Sequence, residues 1–287
     1  MKVGIVGSGG FIGQALVKSF CLDGIEVIEF DSKNPITTNR GEITPRAMNL
    51  NALIWAAAKV NPISAQKNSS SVSQELEEWN QFLESWTKSE MINVPIFFLS
   101  SGGCVYTDKR TPFNEKSEST GINEYGRLKI KMERLLDINY VNAIILRLGN
   151  VYGGGQPIGR GQGVIAEWCN NIHNNNIVPV YGSLENFRDY IHIDDVVVAI
   201  KLLVTDAPIR GIYNLSSGLP STLGNLISIF KEVVNEKIEF VYSNNRNTDR
   251  NGYYLSIDKL QSSIDWIPQV NLRDGIVRAL NESRNAD

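Results

Sequence analysis

Tyr125 and Lys129 stand four residues apart in Tyr125-Gly126-Arg127-Leu128-Lys129. On a helix that spacing puts a phenol and an ammonium on one face. The positive charge favours the phenolate and lowers the tyrosine pKa. Such a tyrosine can pass a proton to or from a substrate hydroxyl. The spacing alone is common and describes an ordinary exposed helix face equally well. What precedes it in the chain decides its meaning.

The stretch Gly7-Ser8-Gly9-Gly10-Phe11-Ile12-Gly13 lies between an apolar run, Lys2-Val3-Gly4-Ile5-Val6, and a helical one, Gln14 to Phe20. Strand, glycine turn and helix in that order aim free backbone N–H groups and the positive helix end at a pyrophosphate. Gly7 permits the tight turn, Gly10 close approach of phosphate, and Gly13 packing of helix on strand. Phe11 and Ile12 complete the candidate binding turn. A second apolar run, Glu26 to Phe30, ends in Asp31. An acid there accepts from the adenosine ribose hydroxyls and repels a 2′-phosphate, which favours NAD over NADP.

Further short apolar runs follow at Ala52–Ala58, Val94–Leu99 and Ala143–Arg147, separated by helical stretches near Ser73–Met91 and Asn123–Asp137. Near-continuous apolar strands alternating with helices predict an α/β protein, a Rossmann-type parallel sheet covered on both faces. Ligands of such sheets sit beyond the carboxyl ends of the strands, here just after Ala57, Leu99 and Arg147. The link from Asp31 to Ala52 has room for a loop and one small element. From Gly153 onward glycine, asparagine and proline become frequent. The division expected is a dinucleotide-binding domain over 1–150, rejoined by 189–214, and a smaller substrate lobe from 151–188 and 215–287.

Composition fits a soluble enzyme. The 287 residues are 42% hydrophobic, enough for a substantial core. A net charge of -3 gives no pull towards nucleic acid or an anionic membrane. No stretch is long and apolar enough to span a bilayer. Met1–Phe30 reads as strand, turn, helix and strand, not as a secretory leader. Cys21, Cys104 and Cys169 are too far apart for a metal site or disulfide framework, and His173 and His192 are the only histidines, so no metal is expected. The simplest home is the cytosol.

With these residues in hand the chain resembles the extended short-chain dehydrogenase/reductases, in particular the NAD-dependent nucleotide-sugar epimerase/dehydratase family, like the UDP-glucose 4-epimerases. The matches are Gly7, Gly10 and Gly13; Asp31; Ala56-Ala57-Ala58; Ser100 to Tyr106; Tyr125 with Lys129; Arg147 to Gly153; Arg188 to Asp195; Tyr213-Asn214; and Asp265 to Pro268. The resemblance implies roles position by position. Ala56 and Ala57 border the cofactor. Tyr125 is the proton-transfer residue, and Lys129 binds the nicotinamide ribose and tunes Tyr125. A serine after the Leu99 strand bonds the reacting sugar oxygen. Asn150 contacts the nucleotide diphosphate, while Arg188 and a second arginine, Arg250, pair with its phosphates through forked donors. Ion pairing of Arg188 with Asp189 or Asp194 is the plainer alternative. Asp194-Asp195 reads as a helix N-cap, and His192 as a packed structural histidine. The resemblance also implies a homodimer built from the Ser73–Met91 and Asn123–Asp137 helices. Trp79, Phe82, Leu83 and Trp86 give the first helix more large apolar surface than one sheet contact needs, which supports such an interface.

Two departures bear on the reaction. The family's catalytic serine or threonine lies four residues before the tyrosine of its Val-Tyr pair; counting back from Tyr106 gives Gly102. Ser101, one residue early, takes the role through a shifted loop, or the role is vacant. The sugar 4,6-dehydratases carry an Asp-Glu pair where this chain has Gly103 and Cys104, so dehydration lacks its acid/base groups. Cys104 matches a proton-transferring cysteine of the family's 3,5-epimerase-reductases, but the expected histidine partner is replaced by Gly163, and packing is the simpler role for the thiol. The reaction expected is C4 epimerisation of a nucleotide-linked hexose through a transient 4-keto sugar. The alternatives are one-way reduction of a 4-keto-6-deoxysugar by NAD(P)H and a nucleotide-binding sensor without turnover.

Overall fold

The computed structural model describes residues 1–140, 142–159, 162–206, 209–234, 237–243 and 251–284. Its central sheet joins β1 (Lys2–Val6), β2 (Glu26–Phe30), β3 (Ala52–Trp55), β4 (Ile96–Ser101), β5 (Ala143–Leu148) and a later strand, β9 (Gly211–Leu215). All pairings are parallel, in the order β2-β1-β3-β4-β5-β9. Between β5 and β9 come β6 (Asn150–Tyr152), β7 (Val178–Tyr181) and β8 (Phe187–His192). A three-stranded sheet orders β10 (Pro220–Thr222), β8 and β6, and β11 (Phe240–Ser243) pairs with β7.

Side-chain alternation on β4 supplies two cores. Phe97 and Leu99 face the layer that holds α1 (Phe11–Leu22). Ile96 and Phe98 face the layer made by α3 (Ser69–Thr87) and α5 (Glu124–Asn139). A short helix, α2 (Pro62–Lys67), leads into α3. Asn68 caps α3 by accepting from Ser70 and Ser71, which starts this helix four residues before the expected Ser73. Asn123 caps α5 through Gly126 N at 2.8 Å. The one-turn α4 (Gly102–Val105) joins β4 to this layer.

Trp79, Phe82, Leu83 and Trp86 correct the sequence reading of a dimer contact. All four are spent within the chain, none more than 2% exposed. Trp79 packs edge-on to Trp55, with ring centroids 4.7 Å apart, and donates to Met132 O at 3.1 Å. Trp86 donates to the Tyr140 hydroxyl at 3.2 Å. The excess apolar surface on α3 is filled by α5, not by a second copy.

The link between Asp31 and Ala52 holds an isolated bridge, Thr37 to Ile43, and one 3-10 turn at Pro45–Ala47. The second lobe contains α6 (Val164–His173), α8 (Leu223–Val233) and α10 (Leu272–Arg284), packed around Trp168, Phe230 and Ile276. The chain recrosses to the sheet through α7 (Ile193–Thr205) and β9. It returns once more inside the segment assigned to the substrate lobe. Ile257 and Leu260, at α9 (Asp258–Ser263), and Trp266 belong to the core on the α1 side of the sheet.

The start of α7 also differs from expectation. His192, not an aspartate, is the N-cap residue; its Nδ1 accepts from Asp194 N at 3.3 Å. Asp194 and Asp195 occupy the first turn. Asp195 is buried and takes the backbone N–H groups of Gln269 and Val270, fastening the segment that follows Trp266.

Candidate active site

The glycine turn is built for a ligand with phosphate. Gly7 has φ +85, and a Cβ on it would lie 2.7 Å from the Ala57 backbone. The loop after β3 therefore presses directly on the turn, with Ala56 N bonded to Val6 O. A Cβ on Gly13 would meet Gly7 O at 2.1 Å, so helix and turn touch backbone to backbone. Nothing lies within 4 Å of a Cβ on Gly9, and only Gly7 O, at 3.3 Å, approaches one on Gly10. No side chain among the described residues caps α1, which leaves its first-turn N–H groups, those of Phe11 and Ile12 included, for a bound anion. The Phe11 and Ile12 side chains pack half-buried against the core.

Asp31 follows β2. Its Oδ1 accepts from Asn34 N at 2.7 Å and Lys33 N at 2.8 Å. These bonds, led by that from Asn34, hold its carboxyl below the ordinary value and keep it anionic.

A cleft of about 520 Å³ opens between the lobes, beyond the ends of β4 and β5. Ser101, Cys104 and Tyr125 line it from the sheet side, and Asn150, Arg188 and Tyr253 from the other. Tyr125 reaches the end of β4 because its neighbour is a glycine: a Cβ on Gly126 would sit 2.0 Å from Cys104 O. Lys129 lies behind it, 1% exposed, its Nζ 5.5 Å from the centroid of the Tyr125 ring. That buried ammonium makes no hydrogen bond among the described residues. A buried donor left without a partner behind the cleft tyrosine fits the ribose hydroxyls of a dinucleotide. Burial raises the Tyr125 pKa, with Cys104 and Glu75 adding to it, and lowers that of Lys129.

Ser100 and Ser101 part company here. Ser100 is buried and donates to Glu133, which in turn pairs with Arg147 at 2.6 Å. Ser101, half-exposed, faces the cleft. Gly102 does not line it: a Cβ there would point into the core, 2.5 Å from Leu255 Cδ1 and 3.1 Å from Leu148 O. The loop is thus turned so that the cleft receives position 101 and not 102. Gly102 is corrected from a substrate contact to a packing position.

Arg188 pairs with no carboxylate among the described residues. It donates to Phe187 O at 2.8 Å and lies 5.9 Å from the Tyr253 ring centroid. Asp189 and Asp194 are engaged elsewhere, Asp189 with Ser217 and Leu255 and Asp194 with Arg278. The Tyr253 hydroxyl donates to Asn150 Oδ1. Arg250 lies outside the described residues. Among the described residues no group of three or more histidine, cysteine or acidic side chains could hold a metal ion, and no helix is long and apolar enough to cross a membrane.

Two residues of this site escaped sequence reasoning. Tyr253 ends the stretch Arg250-Asn251-Gly252-Tyr253, in which the arginine carries the phosphate-binding chemistry. Glu75 is 6% exposed, and its Oε1 lies 3.8 Å from Lys129 Nζ. Its signal was legible: an acid in register with Trp79, Phe82 and Trp86 on the apolar stripe of α3.

The sequence profile of the NAD dependent epimerase/dehydratase family matches residues 3–216. The dTDP-4-dehydro-6-deoxyglucose reductase of Escherichia coli is 35% identical over 194 residues, 66% of this chain and 61% of that protein. A Methanocaldococcus jannaschii protein named "Putative UDP-glucose 4-epimerase" is 28% identical over 98% of both chains. The fold is that of the Thermotoga maritima UDP-glucose 4-epimerase solved with UDP-glucose, at a TM-score of 0.87 and 24% identity over 99% of both chains. With the profile covering most of its length, including the glycine turn, Ser101, Tyr125 and Lys129, the chain belongs to the NAD dependent epimerase/dehydratase family.

Proposed function

We propose that the protein is an NAD-dependent nucleotide-sugar 4-epimerase. The observation that carries this is the meeting of Tyr125, Ser101, Asn150 and Arg188 on one cleft, with the Lys129 ammonium buried behind the tyrosine. NAD, when bound, takes hydride from a sugar carbon and returns it. Tyr125 Oη accepts the C4 hydroxyl proton and gives it back after the 4-keto sugar has turned over in the cleft. Lys129 supports the phenolate by its charge. Ser101 donates to the reacting oxygen, which gains negative character as it becomes a carbonyl. Arg188 and Asn150 hold the diphosphate, and the second lobe supplies most of the sugar-nucleotide contacts. Asp31, anionic beside the turn, favours NAD over NADP, which suits a cofactor recycled in place.

The likeness to the Escherichia coli reductase favours a second reading, one-way reduction of a 4-keto-6-deoxysugar. Incubation of the purified protein with UDP-, dTDP- and GDP-hexoses, with and without NAD(P)H, separates the two. Product without net cofactor loss supports the epimerase; stoichiometric NAD(P)H loss with only a 4-keto substrate overturns it in favour of the reductase.

The homodimer is proposed on a footing other than apolar surface. The outer face of α3 carries Glu77, Gln81 and Glu84, and that of α5 carries Lys131, Arg134 and Arg127, the last paired with Glu124 of its own helix, all exposed. The charges complement each other when α3 of one copy lies along α5 of a second. Light scattering is expected to give twice the 32.0 kDa of the chain; a monomer mass refutes the dimer. Cys21, Cys104 and Cys169 form no disulfide among the described residues, which suits a cytosolic setting.

A further inference from the structure

Glu75 is the charged member of a stripe that otherwise buries Trp79, Phe82, Leu83 and Trp86. Its two oxygens do different things. Oε2 accepts the backbone N–H groups of Lys59 at 2.9 Å and Val60 at 2.8 Å. This fastens the segment continuing from Ala56 and Ala57, which abut the glycine turn. Oε1 accepts no hydrogen bond among the described residues and lies 3.8 Å from Lys129 Nζ, which is equally unspent.

The surroundings of Lys129 make Glu75 its available counter-charge. Glu75 faces it from α3, the Phe98 ring from β4 at 5.1 Å, and Tyr125 and Glu133 from α5. Glu133 is committed to Arg147 and Ser100. Tyr125 is faced in turn by Cys104 and Glu75. A buried amine without a counter-charge sheds its proton, and a neutral amine cannot hold a phenolate.

We propose that Glu75 is a positioning residue for the proton-transfer pair: it keeps Lys129 an ammonium and fixes the 56–60 loop beside it. This rests on the reading of Tyr125 and Lys129 as that pair. Burial lowers the Lys129 pKa and Glu75 is the first group opposing the fall, which agrees in sign.

Glu75→Gln keeps the size and an oxygen for Lys59 and Val60 while removing the charge. With the fold verified by circular dichroism, kcat is expected to drop by about tenfold. The basic limb of its pH profile is expected to move to lower pH by about one unit or more, the scale for losing an opposite charge at this distance. The Tyr125 limb, relieved of a nearby negative charge, does not move to higher pH. A basic limb that stays in place overturns the proposal. Glu75→Asp retains the charge and carries the test if the Gln variant does not fold: it loses rate but keeps the wild-type limb, and a limb displaced by a full unit overturns the proposal. Paired with Lys129→Met, Glu75→Gln is expected to add no further loss, since residues acting as a unit are not additive; an additive loss means that Glu75 acts elsewhere. If Lys129→Met alone turns over normally, the proton-transfer pair itself is wrong and the proposal falls with it.

Discussion

Tyr253 reaches Asn150 across the side of the cleft, and a Cβ on Gly103 would lie 2.5 Å from its hydroxyl. One tyrosine thus orients a proposed diphosphate ligand and fills the space that a side chain at position 103 would take. A side chain at position 103 would have to displace the Tyr253 ring. Tyr253→Phe removes the donor and keeps the ring. The Michaelis constant for nucleotide-sugar is expected to rise roughly three- to tenfold, the scale of one neutral hydrogen bond, with kcat changed less. Gly103→Ala, which must displace the tyrosine, is expected to cost more in the same constant. Steady-state kinetics on both variants checks this; a fall in kcat alone would place Tyr253 in the chemistry instead.

Ser101→Ala is expected to lower turnover by about tenfold or more, as for a lost hydrogen-bond donor to a reacting oxygen, with nucleotide binding retained. Ser100→Ala acts differently. It removes a bond to the buried Glu133 and is expected to cost roughly 1–3 kcal/mol of stability, the price of an under-satisfied buried charge, with little change in rate once folded. Restoring the family's hydroxyl by Gly102→Ser in the Ser101→Ala background is not expected to rescue turnover. Its Cβ would point at Leu255 and not at the cleft. Rescue would mean that the loop turns freely and that the offset is immaterial.

How much of this was legible in the chain follows from distance along it. The glycine turn, the strands and the Tyr125–Lys129 face are local patterns, and each reappears in place. The α3 dimer argument failed because apolar excess says that a partner exists, not which one; Met132 of α5 and Tyr140, which follows that helix, lie more than fifty residues away. The return of Ile257, Leu260 and Trp266 to the sheet core was hidden for the same reason. Ser101 could be weighed but not placed, since Gly102-Gly103 frees the backbone from the alternation that would have decided it.

Alkaline pH offers a test of the packing. Burial pushes Tyr106, Tyr140 and Tyr190 up to about 12, and Cys169 likewise. Tyr106 needs its proton to donate to Asn214 Oδ1 at 2.6 Å. In the unfolded chain tyrosines ionise near 10 and cysteine near 8.5, so the folded state holds these protons more tightly. The stability they contribute is complete below the unfolded pKa values and is lost as pH rises through about 12. Melting temperature is expected to fall steeply above about pH 10. Tyr106→Phe, which has no proton to lose, should flatten part of that fall. An equally steep decline in the variant would show that Tyr106 titrates alike in both states.

Tyr125→Phe removes the proton carrier and little else. The ring remains to pack beside Lys129, so cofactor and nucleotide-sugar affinity are expected to stay near wild type. Turnover should fall by about 10²–10⁴, the usual worth of a positioned acid/base. In the wild type, burial holds the phenol protonated above its ordinary range, while the reaction in the oxidising direction needs the phenolate. With substrate at low concentration the rate of sugar oxidation should therefore climb with pH. In Tyr125→Phe the residual rate should lack the rising limb. Pre-steady-state absorbance of the reduced nicotinamide, followed against pH in both proteins, measures it. A variant that keeps more than about a third of wild-type turnover, against that expected scale, or that keeps the rising limb, would move the proton transfer to another group on the cleft, and Cys104, which lines the same wall, is the next to remove.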